Sequence, residues 1–297
     1  VSRILVTGAS GFLGRRTLPL LCEAGHEVHA VARRPPAADG EVRWHAADLL
    51  ADPAGVVRAV RPQVLVHLAW CTEHGAYWAA PENLAWLHAS LELLQAFRAG
   101  GGERAVIAGT CAEYDWTTSA ERLGEDAPIA PDTLYGAAKA ALHLAASAYA
   151  RQEGFALAWG RVFFPYGPDE DPGRLVASVA RQLVAGEPAE VTEGRQVRDF
   201  LYADDVAAAF AALAGSPLEG PVNIGSGEPV SVREVVAAVA RAAGVPDLVR
   251  FGARPARPGD PPRIVADASR LHAAGIRPAV ALDEGAARCV AWWRERA

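Results

Sequence analysis

Lysine is almost missing from this 297-residue chain. Of its 29 basic residues only Lys139 is not an arginine, and formal net charge is -6. That balance excludes a general nucleic-acid or anionic-membrane partner. Cysteine is scarce as well: Cys22, Cys71, Cys111 and Cys289 are scattered with no Cys-x-x-Cys pair. They read as thiols in a reducing, cytoplasmic compartment. No apolar run approaches the roughly 18 residues of a membrane span, and residues 1–14 read as a strand and a glycine loop rather than a secretory leader. The eight histidines lack His-Glu-x-x-His or similar spacing, so no metal site is expected. Repeats and low-complexity tracts are absent, and the Pro/Gly-rich patch at 252–262 is the only linker-like segment. What is present, 51% hydrophobic and 22% charged residues, suits a globular protein with one large core or two unequal ones.

The solitary lysine stands four residues after a tyrosine, in Tyr135-Gly136-Ala137-Ala138-Lys139. On a helix, positions i and i+4 stack on one face. A free phenol has a pKa of about 10, and a nearby cation lowers it by favouring phenolate. The pair therefore suits acid–base chemistry in which the tyrosine gains or loses a proton beside a fixed charge. Arginine would replace this lysine poorly, because its planar fork lacks the compact three-donor ammonium. A packed Tyr135 with a solvated Lys139 is the other reading of this stretch.

The surrounding chain favours chemistry. Residues 3–7 form an apolar run suited to a strand buried on both faces. It enters Gly8-Ala9-Ser10-Gly11-Phe12-Leu13-Gly14, after which a helical pattern runs to Ala24 and stops at Gly25. Glycines let such a loop approach a diphosphate, whose charge then sits at the helix N-terminus. The spacing is GxxGxxG rather than the more general GxGxxG. A second strand, Glu27–Ala32, ends where an Asp or Glu would bind the adenosine ribose of NAD. Ala32-Arg33-Arg34 stands there instead. Two guanidiniums without a carboxylate favour a 2′-phosphate, hence NADP(H), with NAD(H) possible and solvated arginines as the other reading. A third strand, Val42–Ala46, leads to Asp48, placed either to accept from the adenine amino group or to cap the next helix.

Further strands are expected at 63–69, 104–109 and 155–164, and helices at 83–99 and 134–151. Trp70, Tyr77, Trp78 and Trp86 crowd the segment after the fourth strand, either as a wall for a ring-shaped ligand or as packing. Thr110 follows the fifth strand, where a hydroxyl faces the ligand crevice of an open parallel sheet. The alternation predicts an α/β chain, a Rossmann-like doubly wound parallel sheet with a smaller C-terminal α/β lobe. That lobe would include a helix at 173–185, a strand near 189–192, and elements at 231–243, 248–251 and 281–296.

These residues resemble the extended short-chain dehydrogenase/reductase family, the NAD(P)-dependent nucleotide-sugar epimerases, dehydratases and reductases. The matching features are Thr7 to Gly14, Asp48, His67-Leu68-Ala69, Thr110 four residues before Tyr114, and Tyr135 with Lys139. Arg161 with Tyr166-Gly167-Pro168, Arg198 to Val206, and Asn223 to Gly227 extend the likeness to about residue 270. The resemblance implies a dinucleotide-binding domain of 1–164 plus about 195–226. A nucleotide-sugar substrate lobe would take 165–194 plus 227–297.

The resemblance also implies that Gly8, Ser10, Gly11, Phe12, Leu13, Gly14, Arg33, Arg34, Asp48, Leu49, Leu68 and Ala69 face the cofactor. Thr110 would polarise the substrate oxygen, Tyr135 would be the general acid/base, and Lys139 would bind the nicotinamide ribose and lower the tyrosine's pKa. Cys111 and Arg198 would contact the nucleotide-diphosphate sugar. Arg257 would add a second arginine, a solvated loop arginine being the other reading. Three departures follow. Phe164 replaces a frequent asparagine. Cys111-Ala112 replaces the Asp-Glu of the 4,6-dehydratases, which argues against dehydration. Ala112 also replaces the cysteine of the 3,5-epimerase/reductases. The favoured expectation is an NADPH-dependent reductase of a nucleotide 4-keto-6-deoxyhexose. A 4-epimerase holding NAD tightly is the alternative, and a non-catalytic NADP-binding sensor a third. A homodimer through the helices at 83–99 and 134–151 is expected by the same likeness.

Overall fold

The structure is a computed structural model that describes residues 1–36 and 40–297. The first half runs β1 (Arg3–Thr7), α1 (Gly14–Glu23), β2 (Glu27–Ala32), β3 (Arg43–Ala46), α2 (Gly55–Val60), β4 (Val64–His67), α3 (Glu82–Ala99), β5 (Arg104–Thr110) and α4 (Leu134–Glu153). Next come β6 (Ala156–Val162), β7 (Phe164–Tyr166), α5 (Leu175–Val184), β8 (Ala189–Val191), β9 (Val197–Arg198), β10 (Phe200–Tyr202) and α6 (Ala203–Gly215). The chain closes with β11 (Gly220–Ile224), β12 (Val230–Ser231), α7 (Val232–Ala243), β13 (Val249–Phe251), β14 (Arg263–Ile264), α8 (Ser269–Ala273) and α9 (Leu282–Arg294).

Seven strands form one parallel sheet in the order β11-β6-β5-β4-β1-β2-β3. This is the Rossmann-like doubly wound sheet expected from the strand–helix alternation. Its order reverses between β1 and β4, which opens a crevice at their carboxyl ends. Alternate strand residues serve opposite faces. Ile4 and Val6 pack with Leu18 and Leu21 of α1 and Phe210 of α6, while Leu5 packs with Leu93 and Phe97 of α3 and Leu142 of α4. Such two-sided burial is why the strands read as continuous apolar runs. A third cluster joins Val176 and Leu183 of α5, Val235 and Val239 of α7, and Val290 of α9. Among the described residues no helix is long and apolar enough to cross a membrane.

The strand expected over 155–164 is two strands. Val162 still pairs with Ile224, but Phe164 pairs with Phe200, so the chain changes partner at Phe163. The strand expected over 63–69 stops at His67, and the α5 helix starts at Leu175 because Arg174 is extended (φ -75°, ψ 157°). A sheet of three two-residue strands, β12-β9-β14, has no counterpart in the sequence reading.

Candidate active site

The glycine loop sits in the crevice. Gly8 has φ +66°, and a Cβ there would lie 2.6 Å from the Ala69 nitrogen and 2.7 Å from the Leu68 carbonyl carbon. A Cβ on Gly14 would strike the Gly8 carbonyl and lie 2.7 Å from Ala9 Cα. The loop therefore lies directly on the end of β4, and α1 begins directly on the loop. Ser10 and Gly11 are exposed, Phe12 and Leu13 half-buried. The first turn of α1 has neither an acidic residue nor a side-chain cap, so its positive end suits a diphosphate. Leu68 and Ala69 flank this cradle, their nitrogens reaching Thr7 O (3.2 Å) and Thr7 Oγ1 (3.4 Å).

Asp48 is exposed and accepts a 3.0 Å bond from Leu50 N through Oδ1, a contact within the turn after β3; the next helix, α2, starts from Ala54 and is not capped by it. Leu49 beside it is buried. Arg33 and Arg34, past the end of β2, are both exposed.

Thr110, Tyr135 and Lys139 converge. Thr110 ends β5 and is buried; its Oγ1 accepts from Ala112 N (3.2 Å), and its hydroxyl is near enough to the Tyr135 phenol to favour the ionised form. Tyr135 lies in the first turn of α4, which Thr133 caps through Gly136 N (3.1 Å). Lys139, one turn further, is buried and donates to the Ala108 carbonyl at 2.7 Å. Its Nζ sits 3.7 Å from the centre of the Trp70 ring. Burial lowers the Lys139 ammonium to about 7, against the Glu113 carboxylate, which raises it. Burial also pushes the Tyr135 phenol above its usual range, opposed by the nearby Thr110 hydroxyl. With its ammonium held by Ala108 and Trp70, Lys139 is not what sets the phenol here; desolvation is.

The aromatics divide their work. Tyr77 and Trp78 stand edge-on to Tyr135 at 4.9 and 5.8 Å, and Trp116 stands edge-on to Trp78 at 6.2 Å. Trp70 covers Lys139, and Trp86 packs on Trp70 at 6.2 Å. Fully buried Asn83 fixes this segment, donating to Tyr77 O (2.7 Å) and Ala80 O (2.8 Å) and accepting from Trp70 Nε1 (2.8 Å).

Ser90 and Asp260, the partners of two residues already marked in the sequence, escaped the sequence reading. His67 Nε2 bonds Ser90 Oγ (2.9 Å), whose own proton goes to Trp86 O (2.6 Å), so the His67 proton is on Nε2. Nδ1 then accepts from Thr7 Oγ1 at 2.6 Å. Burial, with the Lys139 charge second, lowers His67 to about 3, which keeps it neutral. Arg198 is buried and donates to Asp260 Oδ1 at 2.7 Å, whereas Arg257 is exposed and meets Asp260 only through backbone, Asp260 N donating to Arg257 O (3.2 Å). Cys111 is a buried thiol that burial pushes far up, so it supplies no acid or base.

The profile of the NAD dependent epimerase/dehydratase family matches residues 4–225. The chain belongs to that family. This epimerase/dehydratase-family protein is 30% identical to a UDP-glucose 4-epimerase of Mycolicibacterium smegmatis, over 99% of both chains. Among solved structures it is similar to the Thermus thermophilus UDP-glucose 4-epimerase in complex with NAD (32% identity, TM-score 0.86, covering 98% of this chain and 99% of that one). It is also similar to MoeE5 in complex with UDP-glucuronic acid and NAD (30% identity, TM-score 0.85, covering 99% and 100%). The family membership agrees with the extended short-chain dehydrogenase/reductase likeness read from the motifs, and the glycine cradle fits the dinucleotide that the family name implies.

Proposed function

We propose that this protein is a nucleotide-sugar 4-epimerase that retains its nicotinamide dinucleotide through each cycle. The observation that carries the proposal is a single acid–base side chain, Tyr135, beside Thr110, with a buried thiol and Ala112 where elimination would need an acid and a base. When bound, the dinucleotide supplies the hydride acceptor and, on reversal, the donor. The α1 N-terminus and glycine loop would hold its diphosphate, and Lys139 would hold its nicotinamide ribose. As phenolate, the form that a bound nicotinamide's positive charge together with Lys139 would favour, Tyr135 Oη would take the proton from the sugar 4-hydroxyl and later return it to the same oxygen, while the Thr110 hydroxyl steadies that oxygen. The opposite configuration requires the sugar to present its other face between these two events. Tyr77 and Trp78 border the ring and exclude water, and Arg198 exchanges Asp260 for the sugar's diphosphate. Whole-length similarity to two UDP-glucose 4-epimerases supports the reading. Purified protein should interconvert a UDP-hexose and its 4-epimer with no net change in reduced dinucleotide. Stoichiometric consumption of NADPH with a nucleotide keto sugar, and no epimer, would refute it.

That second outcome defines the other reading, a ketoreductase of a nucleotide 4-keto-6-deoxyhexose using NADPH. Ala32 followed by exposed Arg33 and Arg34 favours it, because a 2′-phosphate suits two guanidiniums better than a 2′-hydroxyl does. For assembly we propose a homodimer through α3 and α4, which leave Leu84 and Leu144 56% and 75% exposed. Sedimentation at micromolar concentration tests it.

A further inference from the structure

Beneath Thr110 lies an ion pair with no part in the chemistry described so far. Glu113 is 0% exposed and Arg161 2%. Arg161 Nε reaches Glu113 Oε2 at 2.8 Å, Trp159 Nε1 reaches both carboxylate oxygens at 3.0 and 3.1 Å, and Thr110 N donates to Oε1 at 2.8 Å. Arg161 Nη1 continues to Tyr114 Oη (2.9 Å) and the Glu125 carbonyl (3.1 Å), and Tyr114 Oη donates to Asn223 Oδ1 (2.6 Å). Such a pair is weak evidence of added stability, because apolar side chains fill the same space at no desolvation penalty. Its placement says more. Thr110-x-x-Glu113 is a capping box: the threonine oxygen takes Ala112 N while Glu113 takes Thr110 N. With that oxygen already accepting from the backbone, the Thr110 hydroxyl keeps its own proton free for a neighbouring acceptor, and Thr110 is among the groups that act on the Tyr135 phenol. Gly109 makes room, since a Cβ there would lie 2.6 Å from Glu113 Oε1 and collide with Trp159 Nε1. Glu113 is also the carboxylate that acts on both Lys139 and Tyr135.

We infer that Glu113 is a positioning residue of the reaction, orienting the Thr110 hydroxyl through its buried carboxylate and supplying the counter-charge to Lys139. The inference rests on the roles proposed above for Thr110, Tyr135 and Lys139. The other titratable groups around the carboxylate are Arg161, Tyr114, Cys111 and, through Arg161, His143 and Glu125. Burial and Arg161 lower His143 to about 4, and burial raises Tyr114 and Cys111. None of these three changes charge between pH 6 and 9. Removing the anion should therefore act on Lys139: its ammonium is lost at lower pH, and the alkaline limb of activity moves down.

The experiment uses the dinucleotide-loaded protein with its nucleotide sugar. Glu113→Gln is expected to lower kcat by about 10²-fold, the scale of a misplaced reacting group, while KM and dinucleotide affinity stay near wild type. Its alkaline pH limb should fall by about one unit. Glu113→Gln with Arg161→Met removes both charges, so it avoids a lone buried guanidinium; the same two changes are expected there. A wild-type kcat and pH limb in either folded variant overturns the inference. So does a loss shared equally by kcat, dinucleotide affinity and melting temperature with the limb unmoved, which is what a merely structural carboxylate would give. Tyr135→Phe is assayed alongside. If it stays active the catalytic roles themselves fail, whereas an inactive Tyr135→Phe beside a normal Glu113→Gln removes only Glu113.

Discussion

Replacing Lys139 by methionine should abolish turnover and yet stabilise the cofactor-free protein. Burial lowers this ammonium from 10.5 to about 7. At about 1.4 kcal/mol per tenfold change in protonation constant, that gap amounts to about 4 kcal/mol at pH 7, where about half the native molecules carry the proton. Methionine keeps the apolar stem but loses the Ala108 hydrogen bond, about 1 kcal/mol, and the Trp70 contact, about 1–2 kcal/mol. The net expectation is a gain of about 1–2 kcal/mol at pH 7. The sign reverses the usual lysine case: between pH 7 and 10.5 the native protein binds fewer protons than the unfolded chain, so raising pH through that window stabilises the wild type. Lys139→Met lacks this dependence, and the two proteins should converge towards pH 10. Urea unfolding followed by tryptophan fluorescence at pH 7 and pH 10 measures both points. A variant less stable than wild type at pH 7, or a difference that ignores pH, would refute the reasoning.

Tyr135→Phe should lower kcat by about 10²–10⁴-fold, the usual worth of a general acid–base group, with dinucleotide binding by fluorescence titration unchanged. Thr110→Val should depress kcat in the same assay by about 10²-fold, as for other lost donors at a reacting oxygen; a near-normal rate would remove the hydroxyl from the mechanism. Arg33→Ala with Arg34→Ala should weaken NADPH far more than NADH in equilibrium titrations, and equal losses would end the 2′-phosphate argument. His67 and His143, lowered by burial to about 3 and about 4, stay neutral in the native protein while the unfolded chain takes up protons below pH 6.5. Stability should therefore drop as pH falls from 6.5 towards 4, by up to about 1.4 kcal/mol per group for each pH unit. His143→Phe, which keeps the ring stacked on Trp159 (4.9 Å), should flatten that fall in urea midpoints.

Local rules reached far into this chain where cause and effect lie close together. The run Arg3–Thr7, the glycine loop and α1 are contiguous, and Tyr135 and Lys139 share one helix face. Glu113 was within the same reach, since Thr-x-x-Glu is a spacing rule. What stayed hidden was pairing at a distance. Nothing in the order of residues links Arg161 to Glu113, Trp70 to Lys139 or Asp260 to Arg198. The β9, β12 and β14 strands are two residues each, too short for any period to register. The aromatic cluster fell between these cases: four rings were visible, but only packing assigned Tyr77 and Trp78 to Tyr135, and Trp70 to Lys139.

One arginine ties together parts of the molecule that would otherwise be free to drift. The Arg16 guanidinium donates to the Phe12 carbonyl (2.7 Å), to Asp204 (2.9 Å) and to the Pro168 carbonyl, and lies 4.5 Å over the Phe12 ring. The glycine loop, the start of α6 and the Tyr166-Gly167-Pro168 turn thus share a single rivet. Reshaping residues 168–174 would therefore tug on the dinucleotide cradle as well, so variants of that segment need their cofactor affinity remeasured.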